Sequence, residues 1–225
     1  MVWGMEHMDL SADSPFMPGM MAWDATDLAL VFVMWTIMMV AMMLPAATPL
    51  LLMLARINRA RLARWPAAMA TGFAALGYLA AWTCFSLAAT LAQWGLLEAR
   101  LVSPMMESAS NGLSGALLLA AGAYQFSPMK LACLRYCRVP VGVLLTEWRE
   151  GAWSAFRLGL RQGAYCTGCC WLLMALLFAF GVMNLIGIAL LSVLVLLEKI
   201  VPQPRAFAMA TGAILLVWGV LVAFS

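Results

Sequence analysis

The chain reads as an all-α, polytopic membrane helix bundle with about six transmembrane helices, one interfacial helix and both termini outside. Three observations predict this class. Hydrophobic residues make up 65% of the 225 positions and charged residues only 10%, too little polar surface to cover a soluble globule. Apolar runs of helix length alternate with short polar breaks. The basic residues are sorted by loop rather than gathered into one patch, which gives nucleic acid no footprint.

Residues 1–27 form an acidic, Met-rich extracytoplasmic tail, and 28–225 a single transmembrane domain. The tail carries Glu6, Asp9, Asp13, Asp24 and Asp27 without a Lys or Arg. It therefore lacks the basic start of a secretory signal. Met1, Met5, His7, Met8, Met17, Met20 and Met21 fall in it, and thioethers with one imidazole suit Cu(I). The first span, 28–54, exceeds the roughly 20 residues a bilayer requires. Within it Met34, Met38 and Met42 recur every fourth residue, with Met39 and Met43 as a second pair at the same interval, so thioethers form a ladder on adjacent stripes. Pro45 and Pro49 are expected to interrupt the backbone bonding near its far end.

A basic loop with Arg56, Arg59, Arg61 and Arg64 leads to the second span, 67–97, where Gly72, Gly77 and Ala81 invite close helix approach and Cys84 is expected to be packing. The third span, 111–127, ends in Tyr124 and Gln125, read as an interfacial anchor or as a support for a ligand. Cys133 and Cys137 follow on the inner side among Lys130, Arg135 and Arg138, cations that favour a reactive thiol. Residues 141–162 mix apolar and charged residues with Trp148 and Trp153, which suits a helix lying in the interface. The fourth span, 163–183, a tight return at Asn184 and Gly187, a short fifth span, 185–197, and a last span, 206–224, complete the chain. With these spans the inner loops hold every basic residue except Arg100, which sets the orientation.

The chemistry concentrates in RQGAYCTGCCWLLM, residues 161–174. Cys166, Cys170 and Met174 follow at i, i+4 and i+8 on one helical stripe, with Cys169 beside it. Thiolates and thioethers select soft ions, so the expected cargo is copper as Cu(I), with zinc as the other ion this donor set takes. The predicted metal residues are Cys166, Cys169, Cys170, Cys133, Cys137, Met38, Met42, Met39, Met34 and Met43. Methionines crowd the outer half and cysteines the inner half. That asymmetry predicts a relay from weak thioether sites through Cys166, Cys169 and Cys170 to Cys133 and Cys137, with metal and bilayer as partners and a metallochaperone or a second copy of the chain as further ones.

The strings MWTIMMVAMMLPAATPLLLM, AGAYQFSPMKLACLRYCRVP, GAYCTGCCWLLMALLFAFGVMN and LLEKIVP resemble a bacterial family known as predicted metal-binding integral membrane proteins, over about residues 27–220. The resemblance implies a location in the bacterial inner membrane and places Met38, Met39, Met42, Met43, Cys133, Cys137, Cys166, Cys169 and Cys170 within recognisable motifs. It brings no defined activity. A structural or assembly subunit of a membrane metalloenzyme and a membrane thiol redox protein remain as other readings. Enzymatic chemistry is not expected: the chain has no nucleotide loop, no His-Glu-x-x-His and no Ser-His-Asp set, and it holds one histidine.

Overall fold

The computed structural model describes residues 23–61, 67–99, 111–138 and 151–224. The Met-rich part of the tail, Arg64, Arg100, Glu147, Trp148 and Arg149 lie outside the described residues. Among those described, every element is helical: α1 (Ala25–Arg61), α2 (Ala67–Glu98), α3 (Asn111–Gln125), α4 (Pro128–Arg138), α5 (Ala152–Ala175), the single turn α6 (Leu177–Phe180), α7 (Leu185–Ile200) and α8 (Pro204–Ala223).

Helix α1 starts where Asp24 accepts from the backbone N–H groups of Thr26 (2.8 Å) and Asp27 (3.0 Å), while Asp27 accepts from that of Asp24 at 3.2 Å. This reciprocal cap satisfies donors that a helix start leaves unpaired. The helix continues through Pro45 and Pro49, which donate no backbone bond, so the expected interruption of the bonding does not end the helix. Prolines are tolerated inside apolar helices when neighbouring groups take up the freed carbonyls.

Two seams of small residues close the bundle. Between α2 and α5, Gly159 lies against the Ala74 carbonyl, Gly77 against the Phe156 carbonyl, and Gly163 where an added Cβ would sit 2.7 Å from that of Ala81. Gly77 and Ala81 thus serve as expected, whereas Gly72 faces open space. Between α3 and α8, Gly122, Gly212 and Gly219 allow the same approach, with Gly212 meeting Gln125 and Gly219 meeting Leu119. Backbones this close gain dispersion contacts that lipid tails cannot supply.

Among the described residues, four stretches are long and apolar enough to cross a membrane: Ala25–Arg59, Ala67–Glu98, Ala152–Phe180 and Pro204–Ala223. The expected third span stops at Gln125, and its axis turns by 67° into α4, so the pair counts at most as one broken crossing. Helix α7 has 16 residues. At 1.5 Å per residue that is about 24 Å, short of a hydrocarbon core of about 30 Å. Six full crossings are therefore not what the helix lengths support. Residues 152–162, expected to lie along the interface, are instead the first turns of α5, the same helix that carries the thiols. Gly181, at φ 88°, ends α6, and Asn184 caps α7 by accepting from the N–H groups of Ile186 (3.0 Å) and Gly187 (3.1 Å).

The seams give opposite expectations for one substitution at two glycines. Gly159→Ala places a methyl on the Ala74 carbonyl and should cost about 1–3 kcal/mol although Ala is the better helix former. Gly72→Ala, in open space, should be neutral or stabilising by up to about 1 kcal/mol. Thermal unfolding of both variants in detergent checks the pair.

Candidate metal centre

Helix α5 places Cys166, Cys169 and Cys170 about four to five turns from its start, deeper than a helix beginning at Gly163 would. All three are buried. Spacing of three and four residues keeps them on one face, and the thiols of Cys169 and Cys170 both turn back to the Cys166 carbonyl at 3.0 Å. From α4, Cys137 is partly exposed as a residue, but its sulfur turns inward. The sulfurs of Cys137, Cys166 and Cys169 lie within 4.8 Å of one another.

That spacing suits a shared ion. With metal–sulfur bonds of about 2.3 Å, two sulfurs on opposite sides of one ion stand about 4.6 Å apart. The three residues need only small side-chain shifts to meet such an ion, and thiolates are donors for soft cations. Cys170 is buried alongside but is not one of the three. Cys133, one turn earlier on α4, borders the cluster without being one of the three: its sulfur would lie 3.0 Å from a Cβ added at Gly168. Of Cys133 and Cys137, it is thus Cys137 whose sulfur groups with those of Cys166 and Cys169. Cys84 is exposed on α2 rather than packed in the core.

Cys166 is the hub. Its sulfur is 3.0 Å from the Tyr78 hydroxyl and accepts from the Lys199 ammonium at 3.0 Å. Tyr78, on α2, also reaches the Met43 carbonyl at 3.4 Å, which links the centre to the methionine helix. Of the thioether positions, Met39 and Met43 are fully buried and Met42 nearly so, while Met34 and Met38 are only partly buried against the same core. The inner stripe is thus Met39 and Met43 rather than Met34 and Met38. Met174 is fully buried as well.

A second set of groups holds the centre in place. The Tyr124 hydroxyl donates to the Gly168 carbonyl, between the cysteines, and its ring meets Trp171 edge-on at 5.8 Å. Gln162 donates to the Cys137 carbonyl at 3.2 Å, fastening α4 to α5. Lys130 donates to both oxygens of Glu198 (2.9 and 2.8 Å), with both side chains buried, and Gln125 donates to the same carboxylate at 2.9 Å. Adjacent residues of a helix point about 100° apart, so Glu198 faces α4 while Lys199 faces Cys166. Lys130 and Lys199, counted from sequence as inner-loop charges, are thus a buried structural cation and a neighbour of the site. Tyr124 and Gln125 take the supporting role. Sequence reasoning missed Tyr78, Lys199 and Gln162. The string LLEKIVP was the available signal for Lys199, since ionisable residues in an apolar helix usually mark a site.

These features define a class: an all-helical bundle whose core encloses a cysteine centre fit for a soft metal. The chain belongs to the PpoB2 family of copper chaperones, whose family model matches residues 32–222. That match agrees with the metal-related family expected from the sequence strings. Neither curated proteins nor solved structures give a match to the chain.

The buried ion pair makes a testable demand. Lys130→Met alone leaves the Glu198 charge uncompensated and should cost about 3–5 kcal/mol, whereas the double change Lys130→Met with Glu198→Met should recover a large part of that loss. Denaturation of the single and double variants measures the difference.

Proposed function

We propose that the chain is a multi-pass protein of the bacterial cytoplasmic membrane that takes Cu(I) into the Cys137, Cys166 and Cys169 centre and hands it to a recipient protein. The observation that carries this reading is the convergence of three sulfurs from two helices inside an apolar core. Membership of a copper chaperone family supports copper as the cargo. Helices of membrane-crossing length, with Ile37, Leu52, Leu76, Ile214, Val217 and Leu221 exposed on their outer faces, support the lipid setting. Basic residues around α1's far end and α4 favour the cytoplasm for those ends, which leaves the N-terminal tail outside.

In this reading Cu(I) arrives from the outer side and passes the buried thioethers Met39 and Met43, which bind it weakly enough to release it. It then reaches thiolates, which bind it more tightly. Cys137 lies at the α4 end of the centre, is the least enclosed of the three residues, and is the donor from which a partner's thiol would take the ion by ligand exchange. A thiol redox protein would use the same sulfurs, so the metal and redox readings need an experiment that parts them.

Purified chain, reduced and exposed to Ag(I) as an air-stable Cu(I) mimic, should bind one ion per chain, as should chain loaded with Cu(I) under anaerobic conditions. Cys166→Ser and Cys169→Ser should abolish the high-affinity site, Cys137→Ser should weaken it, and Cys84→Ser should leave it unchanged. Zinc retained with no affinity for Cu(I), or thiols that cycle to a disulfide without binding metal, would contradict the copper reading. Delivery is tested separately. Met39→Leu with Met43→Leu preserves size and apolarity, and should slow copper loading in vesicles while equilibrium affinity at the cysteines is kept.

A further inference from the structure

Helices α1 and α5 pass each other in opposite directions, and two contacts set their register. The Trp35 ring on α1 meets Phe178, in the turn that follows α5, with centroids 5.2 Å apart. Further along, the Tyr78 hydroxyl lies 3.4 Å from the Met43 carbonyl on α1 and 3.0 Å from the Cys166 sulfur on α5. Residues 35 to 43 of one helix therefore run beside residues 178 to 166 of the other. Met39 follows Trp35 by one turn and Met174 precedes Phe178 by one turn, so both fall in the interval between the aromatic pair and the cysteines. Met39, Met43 and Met174 are all fully buried, in the same apolar cluster as Cys166, Cys169 and Cys170.

We propose that Met39, Met43 and Met174 form a second metal site, made of thioethers alone, which holds a soft monovalent cation next to the cysteine centre. Long side chains on a helix lean toward its N-terminus. Met43 thus leans along α1 toward Met39, and Met174 leans along α5 toward Cys170; in antiparallel helices those two directions converge. Thioethers select soft ions, and sulfurs from two facing helices suit Cu(I) and Ag(I). Neutral donors hold such an ion more weakly than thiolates do, as a site that loads the next one requires. Met174 supplies from α5 the donor that the α1 ladder by itself lacks. The inference rests on the copper-relay reading above for the role of the site, while the site has ligands of its own.

Methionine has a simpler role available, because its flexible thioether fills irregular gaps in a core. A filler does not respond to metal. The two accounts therefore differ in how the individual methyl groups answer Ag(I).

The experiment is an Ag(I) titration of the full chain, reduced and in detergent, with the methionine methyl groups labelled with carbon-13 and followed by NMR. Leu variants assign the signals, and alkylation of free thiols is measured in parallel. Once the tight ion at the cysteines is bound, further Ag(I) should move the Met39, Met43 and Met174 signals along one binding curve. Met34 and Met38, only partly buried, should stay in place over that range. Met174→Leu keeps size and apolarity; it should raise the Ag(I) concentration needed to move Met39 and Met43 by at least about tenfold, and Met34→Leu should leave it unchanged. Three signals that do not move, that follow separate curves, or that move only together with methionines throughout the chain overturn the site. So does a Met39 and Met43 response that is the same in Met174→Leu. Should that variant fail to fold, Met39→Leu decides in the same way through the Met43 and Met174 signals. Thiols protected by Ag(I) with these thioethers unmoved reject the site and keep the cysteine centre, whereas thioethers that respond without thiol protection uphold the site and reject the centre.

Discussion

An ammonium ion inside an apolar helix bundle has to find an acceptor, and for Lys199 the acceptor is the sulfur of Cys166. That contact joins α7 to α5, and the Tyr78 hydroxyl on the same sulfur joins α2. Around it further buried polar groups are paired: Glu198 with Lys130 and Gln125, the Gly168 carbonyl with Tyr124, the Cys137 carbonyl with Gln162. Unmatched polar groups in such an interior are costly, so each pairing also fixes the position of a helix. The centre is held by the same interactions that specify how its helices sit.

The glycine seams make those interactions possible. With Gly159 and Gly77 bringing the α2 and α5 backbones into contact, Tyr78 is near enough for its hydroxyl to reach Cys166. Across the molecule, the seam between α3 and α8 sets the position of Gln125, and the bend after it sends α4 across α5 so that the Cys137 sulfur meets the others. A straight continuation of α3 would carry Cys137 away from α5. The 67° turn at Phe126 and Ser127 is thus part of the site as much as of the fold.

Much of this was legible in the sequence, and the reasons it was not all legible are physical. Helix class, the bounds of α2 and α8, and the soft-donor face of Cys166, Cys169 and Cys170 follow from hydropathy and from helical spacing, which are local. Spacing could not tell which Met stripe is inward, because Met34 with Met38 and Met39 with Met43 share an interval and differ only in the neighbour they face. The break at Gln125 and the early start of α5 at Ala152 depend on tertiary packing, so an apolar run alone suggested full spans. Cys137 lies far from Cys166 in the chain, and only the bend brings them together. Charge counting treated Lys130 and Lys199 as loop residues because composition carries no information on burial; their acceptors, Glu198 and Cys166, come from other helices.

The most direct test of a sulfur centre at Cys166 is X-ray absorption at the copper edge on the purified chain loaded with Cu(I). Two or three sulfur neighbours at thiolate bond lengths, with no nitrogen or oxygen shell, and collapse of that signature in Cys166→Ser, is the result expected. A coordination shell of nitrogen or oxygen, or a sulfur shell that survives Cys166→Ser, would contradict it.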